Sequence, residues 1–202
     1  MNPQVDQHSF GITYAERPFL FHNLHGGKFE EFGERVGMID FTGTRGTGGS
    51  PVRSSQARSG SRTISPFAHR YVARGTATAD FFNRGAEDLL VTVLDGSPLL
   101  LRNESRRGHW LRIKTIGTRS NRDGFGARVE VKAGSLTEAA EVRANSSFES
   151  ASDPCLHFGL GSATTVDSIV VHWPSGKVDT IGPQPADQDL DIEEGHGVIK
   201  PR

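Results

Sequence analysis

Alternation of apolar and polar residues dominates the second half of the chain. In residues 127–133, alanine and valine occupy every second position, and arginine, glutamate and lysine lie between them. A period of two gives a β-strand one apolar face and one charged face. The pattern therefore predicts a strand that is buried on one side, as is common in antiparallel sheets.

Further apolar runs follow at short intervals. Residues 166–173 (VDSIVVHW) form the most strand-like run, and the neighbouring Pro174 and Gly176 favour a type I turn at its end. Residues 177–181 should then return as an antiparallel strand, and residues 190–192 should belong to a closing strand. No window combines a helical period with capping residues. Six or seven short strands at this spacing predict an all-β sandwich or barrel.

Two strand–turn–strand units lie in the first half of the chain. Residues 19–29 (FLFHNLHGGKF) contain an apolar run followed by asparagine and a Gly-Gly turn. Residues 89–103 contain two apolar runs separated by Asp95-Gly96, and the second run again ends in asparagine. This weak internal repeat is typical of β-propeller blades, each of which needs neighbours to bury its faces.

Residues 41–74 differ in composition from the units on either side. They contain six arginines, no lysine, aspartate or glutamate, and many glycine, serine and threonine residues. Such a segment has little apolar surface to offset the entropy lost on ordering, so we expect a disordered linker. A nucleic-acid-binding arm is the alternative, but such arms interleave aromatic with basic side chains, and only Phe41, Phe67 and Tyr71 are present.

The overall composition argues against several classes of protein. With 23 basic and 24 acidic residues, the net charge of -1 provides no general attraction to nucleic acid or to an anionic membrane. The single cysteine, Cys155, rules out an internal disulfide framework. No apolar stretch approaches the ~18 residues of a membrane span, and the N-terminal residues lack the basic and apolar regions of a signal peptide. We expect no nucleic-acid partner and no membrane span.

Motifs of common catalytic and metal sites are missing as well. The eight histidines are scattered, without the HExxH spacing of a zinc enzyme. The glycine-rich stretches lack the third glycine of a dinucleotide-binding loop and the lysine of a phosphate-binding loop, and no GxSxG nucleophile motif occurs. The sequence therefore provides no motif for these cofactors or for this nucleophile.

Three separated motifs together resemble a known family. They are SNRDGFGARVEVKAG (residues 120–134), LHFGLGSATTVDSIVVHWPSGKV (156–178) and PADQDLDIEEG (185–195). In this order and at this spacing they resemble the ASPIC/UnbV domain of the cartilage acidic protein family. In that family the domain follows FG-GAP (VCBS-like) repeats that build a β-propeller. Residues 17–33 (RPFLFHNLHGGKFEEFG) and 74–90 (RGTATADFFNRGAEDLL) resemble such repeats.

The resemblance implies an all-β chain in which a C-terminal β-sandwich-like domain is preceded by partial β-propeller-type strands. The expected parts are a partial FG-GAP/VCBS-like blade (1–40), the linker (41–74), a degenerate blade hairpin (75–106), the ASPIC/UnbV domain (107–196) and a tail (197–202). The resemblance also implies a secreted, non-catalytic module that binds an extracellular protein or glycan, as adhesion proteins do. This chain would then be a fragment of a longer repeat protein whose export signal lies upstream.

The blade loop of that family has the pattern D-x-D-x-D-G-x-x-D, whose alternate carboxylates bind one Ca²⁺ ion. Here Asp80 and Asp88 match the pattern, but Phe82 and Arg84 replace two carboxylates and Ala86 occupies the seventh position. An apolar side chain and a cation make a poor cage for a hard cation. Asp80 and Asp88 are therefore candidate ligands of a degenerate calcium site, and a turn kept for its shape is the favoured interpretation.

Asn121 and Asp123 are the other candidate binding residues, because their oxygens suit a cation or sugar hydroxyls. Asn and Asp near glycine also form tight turns, which is the interpretation favoured here. An enzyme is the alternative function: a carbohydrate-active or hydrolytic accessory protein would take its acid and base from Asp123, Glu149 or Asp153. No spacing selects a pair among these three.

Overall fold

The structure is a computed structural model that describes residues 15–24, 27–33, 38–40, 67, 70–105 and 108–201, without the side chains of residues 38–40, 200 and 201. These described residues form β-strands and no α-helix, which confirms the predicted all-β fold. None of them belongs to a helix long and apolar enough to cross a membrane.

The first six strands are β1 (Phe21–Asn23), β2 (Phe29–Glu31), β3 (Met38–Asp40), β4 (Ala73–Ala79), β5 (Asp88–Val93) and β6 (Leu99–Asn103). The next five are β7 (His109–Ile116), β8 (Arg128–Ala133), β9 (Leu136–Glu141), β10 (Leu156–Gly161) and β11 (Thr165–Val166). The last five are β12 (Ser168–His172), β13 (Val178–Ile181), β14 (Gln184–Pro185), β15 (Gln188–Glu193) and β16 (Gly197–Pro201).

The chain divides into two compact units. The larger unit comprises Thr78–Glu87, Arg107–Ser146 and Ser150–Arg202. It holds two four-stranded sheets, with strand orders β10-β7-β15-β16 and β13-β12-β8-β9, and the short pair β11-β14. Both four-stranded sheets contribute to one core, as expected for a β-sandwich. Its buried members include Leu111, Phe158 and Leu190 from the first sheet and Val129, Ile169 and Ile181 from the second.

The alternating pattern of residues 127–133 appears in β8 as predicted. Val129 and Val131 are buried in the core, whereas Arg128 and Lys132 are exposed. β8 pairs antiparallel with both β9 and β12. Its period of two therefore reflects one face against the opposite sheet and one face in solvent.

The strand β7 precedes β8 in the chain but lies in the other sheet, where it pairs in parallel with β15. The parallel register places Arg112 opposite Asp189. The Arg112 guanidinium donates to both carboxylate oxygens of Asp189, each at 2.8 Å, and this hydrogen bonding raises the pKa of Arg112 despite its partial burial. A bidentate pair of this kind favours a single register over a shifted one.

Two differences from the expected strands can be traced to particular residues. Residues 166–173 divide into β11 and β12 at Asp167, whose N–H donates to the Lys132 carbonyl at 2.7 Å and whose carboxylate accepts from the Gly134 N–H at 2.7 Å. Residues 197–202, expected to be a tail, include β16, which pairs antiparallel with β15. A tight turn makes this return possible, since Gly195 and Gly197 both have positive φ angles.

The smaller unit comprises Met1–Ala77, Asp88–Arg106 and Ser147–Glu149. It holds the antiparallel pair β1-β2 and a sheet of order β3-β6-β5-β4. The hairpin predicted in residues 89–103 is confirmed, because β5 and β6 pair antiparallel on either side of Asp95, which has a positive φ of 55°. Its core consists of the described residues Phe67, Tyr71, Val91, Leu99 and Leu101.

The predicted linker, residues 41–74, lies mostly outside the described residues. Of its described members, Phe67, Tyr71 and Val72 are buried. Tyr71 also exchanges backbone hydrogen bonds with Glu16, at 2.9 and 3.0 Å. These apolar side chains at the end of the segment therefore contribute to packing, while its disorder stays a prediction.

Candidate functional site

The most fully hydrogen-bonded acid of the larger unit is Glu194, which follows β15. Its carboxylate accepts hydrogen bonds from three consecutive backbone N–H groups, those of Thr118, Arg119 and Ser120, at 2.8–2.9 Å. The hydroxyls of Ser120 and Ser175 also donate to it. Thr118 and Glu194 are 76 positions apart in the sequence. The carboxylate thus joins the loop after β7 to the turn after β12.

The side chain of Glu194 is only 1 % exposed. Burial by itself raises the pKa of this carboxyl, but the hydrogen bonds from Ser120, Ser175, Arg119 and Thr118 outweigh it and lower the pKa to about 2. Glu194 is therefore ionised at neutral pH, and its charge is balanced by backbone and hydroxyl dipoles. Its contacts assign it a structural role in holding the loop.

That loop contains the predicted binding residues Asn121 and Asp123. The Asn121 amide donates to the Phe125 carbonyl at 2.7 Å and accepts from the Phe125 N–H at 2.8 Å. The Gly124 N–H donates to the Asn121 carbonyl at 2.9 Å, and Gly124 has a φ of 70°. The Asn121 side chain thus closes the turn, whereas Asp123 is exposed. A ligand role for either residue stays a prediction.

The predicted calcium ligands also contact backbone groups. In the larger unit, the buried Asp80 carboxylate accepts from the N–H groups of Arg84 at 2.9 Å and Gly85 at 2.6 Å. In the smaller unit, the buried Asp88 accepts from the Asn103 N–H at 2.8 Å. Among the residues that the structure describes, no three His, Cys, Asp or Glu side chains are grouped so that they could hold a metal ion. Calcium binding stays a prediction.

A cleft of about 450 Å³ opens on the larger unit. Its lining includes Arg84, His109, Trp110, Ser162 and Asp187. The His109 Nδ1 lies 2.7 Å from the Asp187 Oδ2, with side chains that are 37 % and 46 % exposed. The second oxygen of Asp187 accepts from the Trp110 N–H at 3.2 Å. The cleft therefore presents a preformed pair of polar side chains to solvent.

Backbone geometry places Asp187 at the cleft. Its φ of 60° lies in the left-handed region, which Asp tolerates better than most residues. The Asp187 N–H donates to the Trp110 carbonyl at 2.7 Å, so main chain and side chain both bind the start of β7. This conformation turns the carboxylate toward His109.

The indole of Trp110 is confined on the cleft wall. Gly85, with a φ of 70°, lies so close to the indole that an added Cβ would overlap its Nε1 and Cε2 atoms. The ring of His157 stacks on Trp110 with centroids 5.9 Å apart and an angle of 10°. Trp173, the other tryptophan, is buried in the core and donates its Nε1–H to Asp179 at 2.8 Å. Trp110 is the tryptophan that reaches the cleft.

The acids proposed for an enzyme have simpler surroundings. Asp153 accepts a hydrogen bond from the Cys155 N–H at 2.9 Å, and Glu149 is an exposed residue with a φ of 47°. Glu87, which was not predicted, differs. Glu87 is an exposed residue, yet its pKa is raised, chiefly because its carboxyl is partly removed from solvent. The charges of Asp153 and Asp80 also raise this pKa, whereas His157 and a hydrogen bond with Thr78 lower it.

Sequence reasoning missed the residues that form these clusters. Asp187 and Glu194 both occur in the quoted motif of residues 185–195, but neither carries a local signal of its partners. His109 is one of eight scattered histidines. The one usable signal was Glu193-Glu194-Gly195, where a charged pair follows an apolar alternation at the point where a strand should end.

Comparison with known proteins identifies one region of the chain. The family model described as ASPIC and UnbV matches residues 117–199. This range includes the Glu194 cluster, the loop of Asn121 and the cleft residue Asp187, but neither Arg84 nor His109. No curated protein matches the chain.

Proposed function

We propose that this protein is a non-catalytic recognition module of the extracellular type, which binds a protein or a glycan and forms part of a longer repeat protein. The match of residues 117–199 to the ASPIC and UnbV family supports this proposal. The sandwich of the larger unit is consistent with it, because such folds commonly display binding loops at their ends. Secretion and FG-GAP-type repeats upstream are part of the proposal and derive from the family resemblance.

The observation that most supports recognition is a solvent-exposed cleft on a unit whose loops are held in place by hydrogen bonds to buried acids. Glu194 and Asp80 accept hydrogen bonds from loop N–H groups, which holds the loops in place. The lining of the cleft keeps two exposed polar side chains, His109 and Asp187, in contact with each other. A preformed surface loses little conformational entropy when a ligand binds.

The test of this proposal is a binding screen with the full chain. Glycans and purified extracellular proteins are arrayed, and we expect at least one of them to show saturable binding. Arg84→Ala should weaken its binding because Arg84 lines the cleft. The control is Arg143→Ala, which removes an exposed arginine elsewhere on the larger unit. Equal binding by both variants would place the recognition surface elsewhere, and recovery of a chemically altered ligand would contradict a non-catalytic role.

The second candidate is a carbohydrate-active or hydrolytic enzyme that uses Asp and Glu residues. Burial and the charges of Asp153 and Asp80 raise the pKa of Glu87, and a raised carboxyl pKa is one feature of a general acid. In this case Glu87→Gln would abolish ligand turnover and leave ligand binding unchanged. Absence of turnover by the unaltered chain, with every ligand that it binds, would eliminate this candidate.

We propose that the module functions without a resident cofactor. Thermal unfolding in Ca²⁺ and in excess chelator should then give the same midpoint, because an ion that binds only the folded state would raise it. A higher midpoint in Ca²⁺ would instead support calcium binding by Asp80 and Asp88, provided that Asp80→Asn abolishes the increase. Asp95→Asn, a change of the same kind in a turn, serves as the control.

A further inference from the structure

We infer that the cleft of the larger unit binds a neutral saccharide through adjacent hydroxyl groups, with Asp187, His109 and Arg84 as the polar contacts. This inference rests on the proposed recognition function and specifies its ligand. Sugar hydroxyls both donate and accept hydrogen bonds, so they suit a site that offers donors and acceptors side by side.

The hydrogen bonding of the cleft provides both kinds of group. The Asp187 Oδ1 accepts from the Trp110 N–H, and the Oδ2 is hydrogen-bonded to His109. Each of these carboxylate oxygens has a further lone pair that can accept from a ligand. The Arg84 guanidinium on the same lining contributes donors, and the Ser162 hydroxyl can act in either sense. One sugar hydroxyl would donate to Asp187, and a neighbouring hydroxyl would accept from Arg84.

The charge of the described lining indicates a neutral ligand. It contains one cation, Arg84, and one anion, Asp187, which is already paired with His109. An acidic sugar would place its carboxylate or sulfate near Asp187, where like charges repel. A neutral polyhydroxylated ring meets no such repulsion.

The rest of the lining suits the less polar face of a sugar ring. The half-buried Trp110 shares the lining with Gly108 and Gly161. Gly108 approaches the backbone of Gly161 so closely that a Cβ there would overlap the Gly161 carbonyl. Small residues and an aromatic ring with a few directed polar groups are common in ligand-binding clefts.

The experiment is a titration of the full chain, followed by NMR, with two sets of probes at equal concentration. The neutral set is the methyl glycosides of glucose, galactose and mannose, and the acidic set is glucuronate and glucose 6-sulfate. A neutral glycoside should bind with a Kd of about 1 mM, a typical order for a small ligand with few contacts. Binding should change less than about twofold between low and high salt, because no net charge is neutralised.

Asp187→Asn is the informative variant. Asparagine tolerates the positive φ and still accepts from the Trp110 N–H, but it removes the anionic acceptor. Binding should weaken about tenfold or more, as expected when a hydrogen bond to a charged group is lost. Asp95→Asn, also at a positive φ, is the matched control and should bind as the unaltered chain does. If Asp187→Asn unfolds, Ser162→Ala with Ser135→Ala as its control provides the same comparison.

Three results would overturn the inference. These are tighter binding of the acidic probes, undiminished binding by Asp187→Asn, and no binding of any sugar. If no sugar binds, a purified protein whose binding is weakened by Arg84→Ala would still support the proposed recognition function. Failure of both the sugar titration and the array would overturn the two proposals together.

Discussion

The two units of this protein are built from similar antiparallel strand pairs but differ in what those pairs can bury. In the larger unit, two sheets face each other and close one continuous core. In the smaller unit, five described residues form the core, and Phe19, Phe21 and Phe29 are 56 %, 59 % and 64 % exposed. A strand pair needs a second layer to bury its apolar side chains.

The larger unit adds a buried acid that connects distant segments. Glu194 holds the loop after β7 from a position beyond β15, so its hydrogen bonds form only when the sandwich has assembled. Its loss should therefore affect the whole unit.

The largest expected effect is that of a cavity in the larger core. Leu111→Ala should lower the free energy of unfolding of the larger unit by about 4 kcal/mol, because Leu111 is enclosed by both sheets. Leu101→Ala in the smaller core should cost about 2 kcal/mol, since a small core relaxes more easily around a void. Hydrogen exchange of strand amides in each unit measures both values. Equal losses of unfolding free energy in the two variants would show that the two cores respond alike to a cavity.

Glu194→Gln should destabilise the larger unit by about 3 kcal/mol, because a buried set of donors loses its charged acceptor. Urea unfolding of the full chain measures the effect. The neighbouring Glu193→Gln is the control: Glu193 has the exposed partner His196 at 3.2 Å, and its change should cost less than about 0.5 kcal/mol. A similar cost for the two variants would show that the Glu194 cluster adds no specific stability.

Gly124→Ala tests the loop that Glu194 holds. Gly124 has a φ of 70°, and a Cβ there would overlap the Thr115 side chain. Gly134 has a φ of 60° with open space around it, so Gly134→Ala isolates the backbone strain. We expect losses of about 2–3 kcal/mol for Gly124→Ala and about 1 kcal/mol for Gly134→Ala. Thermal unfolding distinguishes them, and identical midpoints would mean that the loop shifts to accept the methyl group.

The smallest effect near neutral pH is the titration of Glu194, which appears only in acid. Hydrogen bonds lower its pKa to about 2 against an ordinary value of 4.5, so its contribution to stability is complete above pH 4.5. As the pH falls from 4.5 toward 2, the unfolded chain takes up the proton first, and this contribution is lost. The midpoint of Glu194→Gln should therefore approach that of the unaltered chain over this range. A constant difference would contradict the assignment.

The strands were predictable where local pattern determines them. The alternation of residues 127–133, the turn between β12 and β13 and the hairpin of β5 and β6 all appear as expected, because side-chain period and turn residues act over a few positions. The turn is confirmed by the hydrogen bond from the Gly176 N–H to the Trp173 carbonyl. The parallel pairing of β7 with β15 was not predicted, since it depends on a partner far away in the sequence. The return strand β16 was also missed, although its partner β15 is the preceding strand.

The candidate site was less predictable than the fold. Asp80 and Asp88 stood out through the resemblance to a calcium loop, and Asn121 and Asp123 through their residue types near glycine. The first three make hydrogen bonds to the backbone. The cleft residues His109 and Asp187 are 78 positions apart and carry no common motif. Only the β7–β15 pairing brings them together.

By itself, the sequence determined the all-β class, the position of most strands and the resemblance of its C-terminal motifs to one domain. The physical reason is that alternation, turn residues and motif spacing are local properties of the chain. Tertiary structure alone decided how the hairpins combine into sheets, which acid binds the loop after β7 and where a cleft opens. These features depend on burial and hydrogen bonding between residues far apart in the sequence, and such contacts exist only in the folded chain.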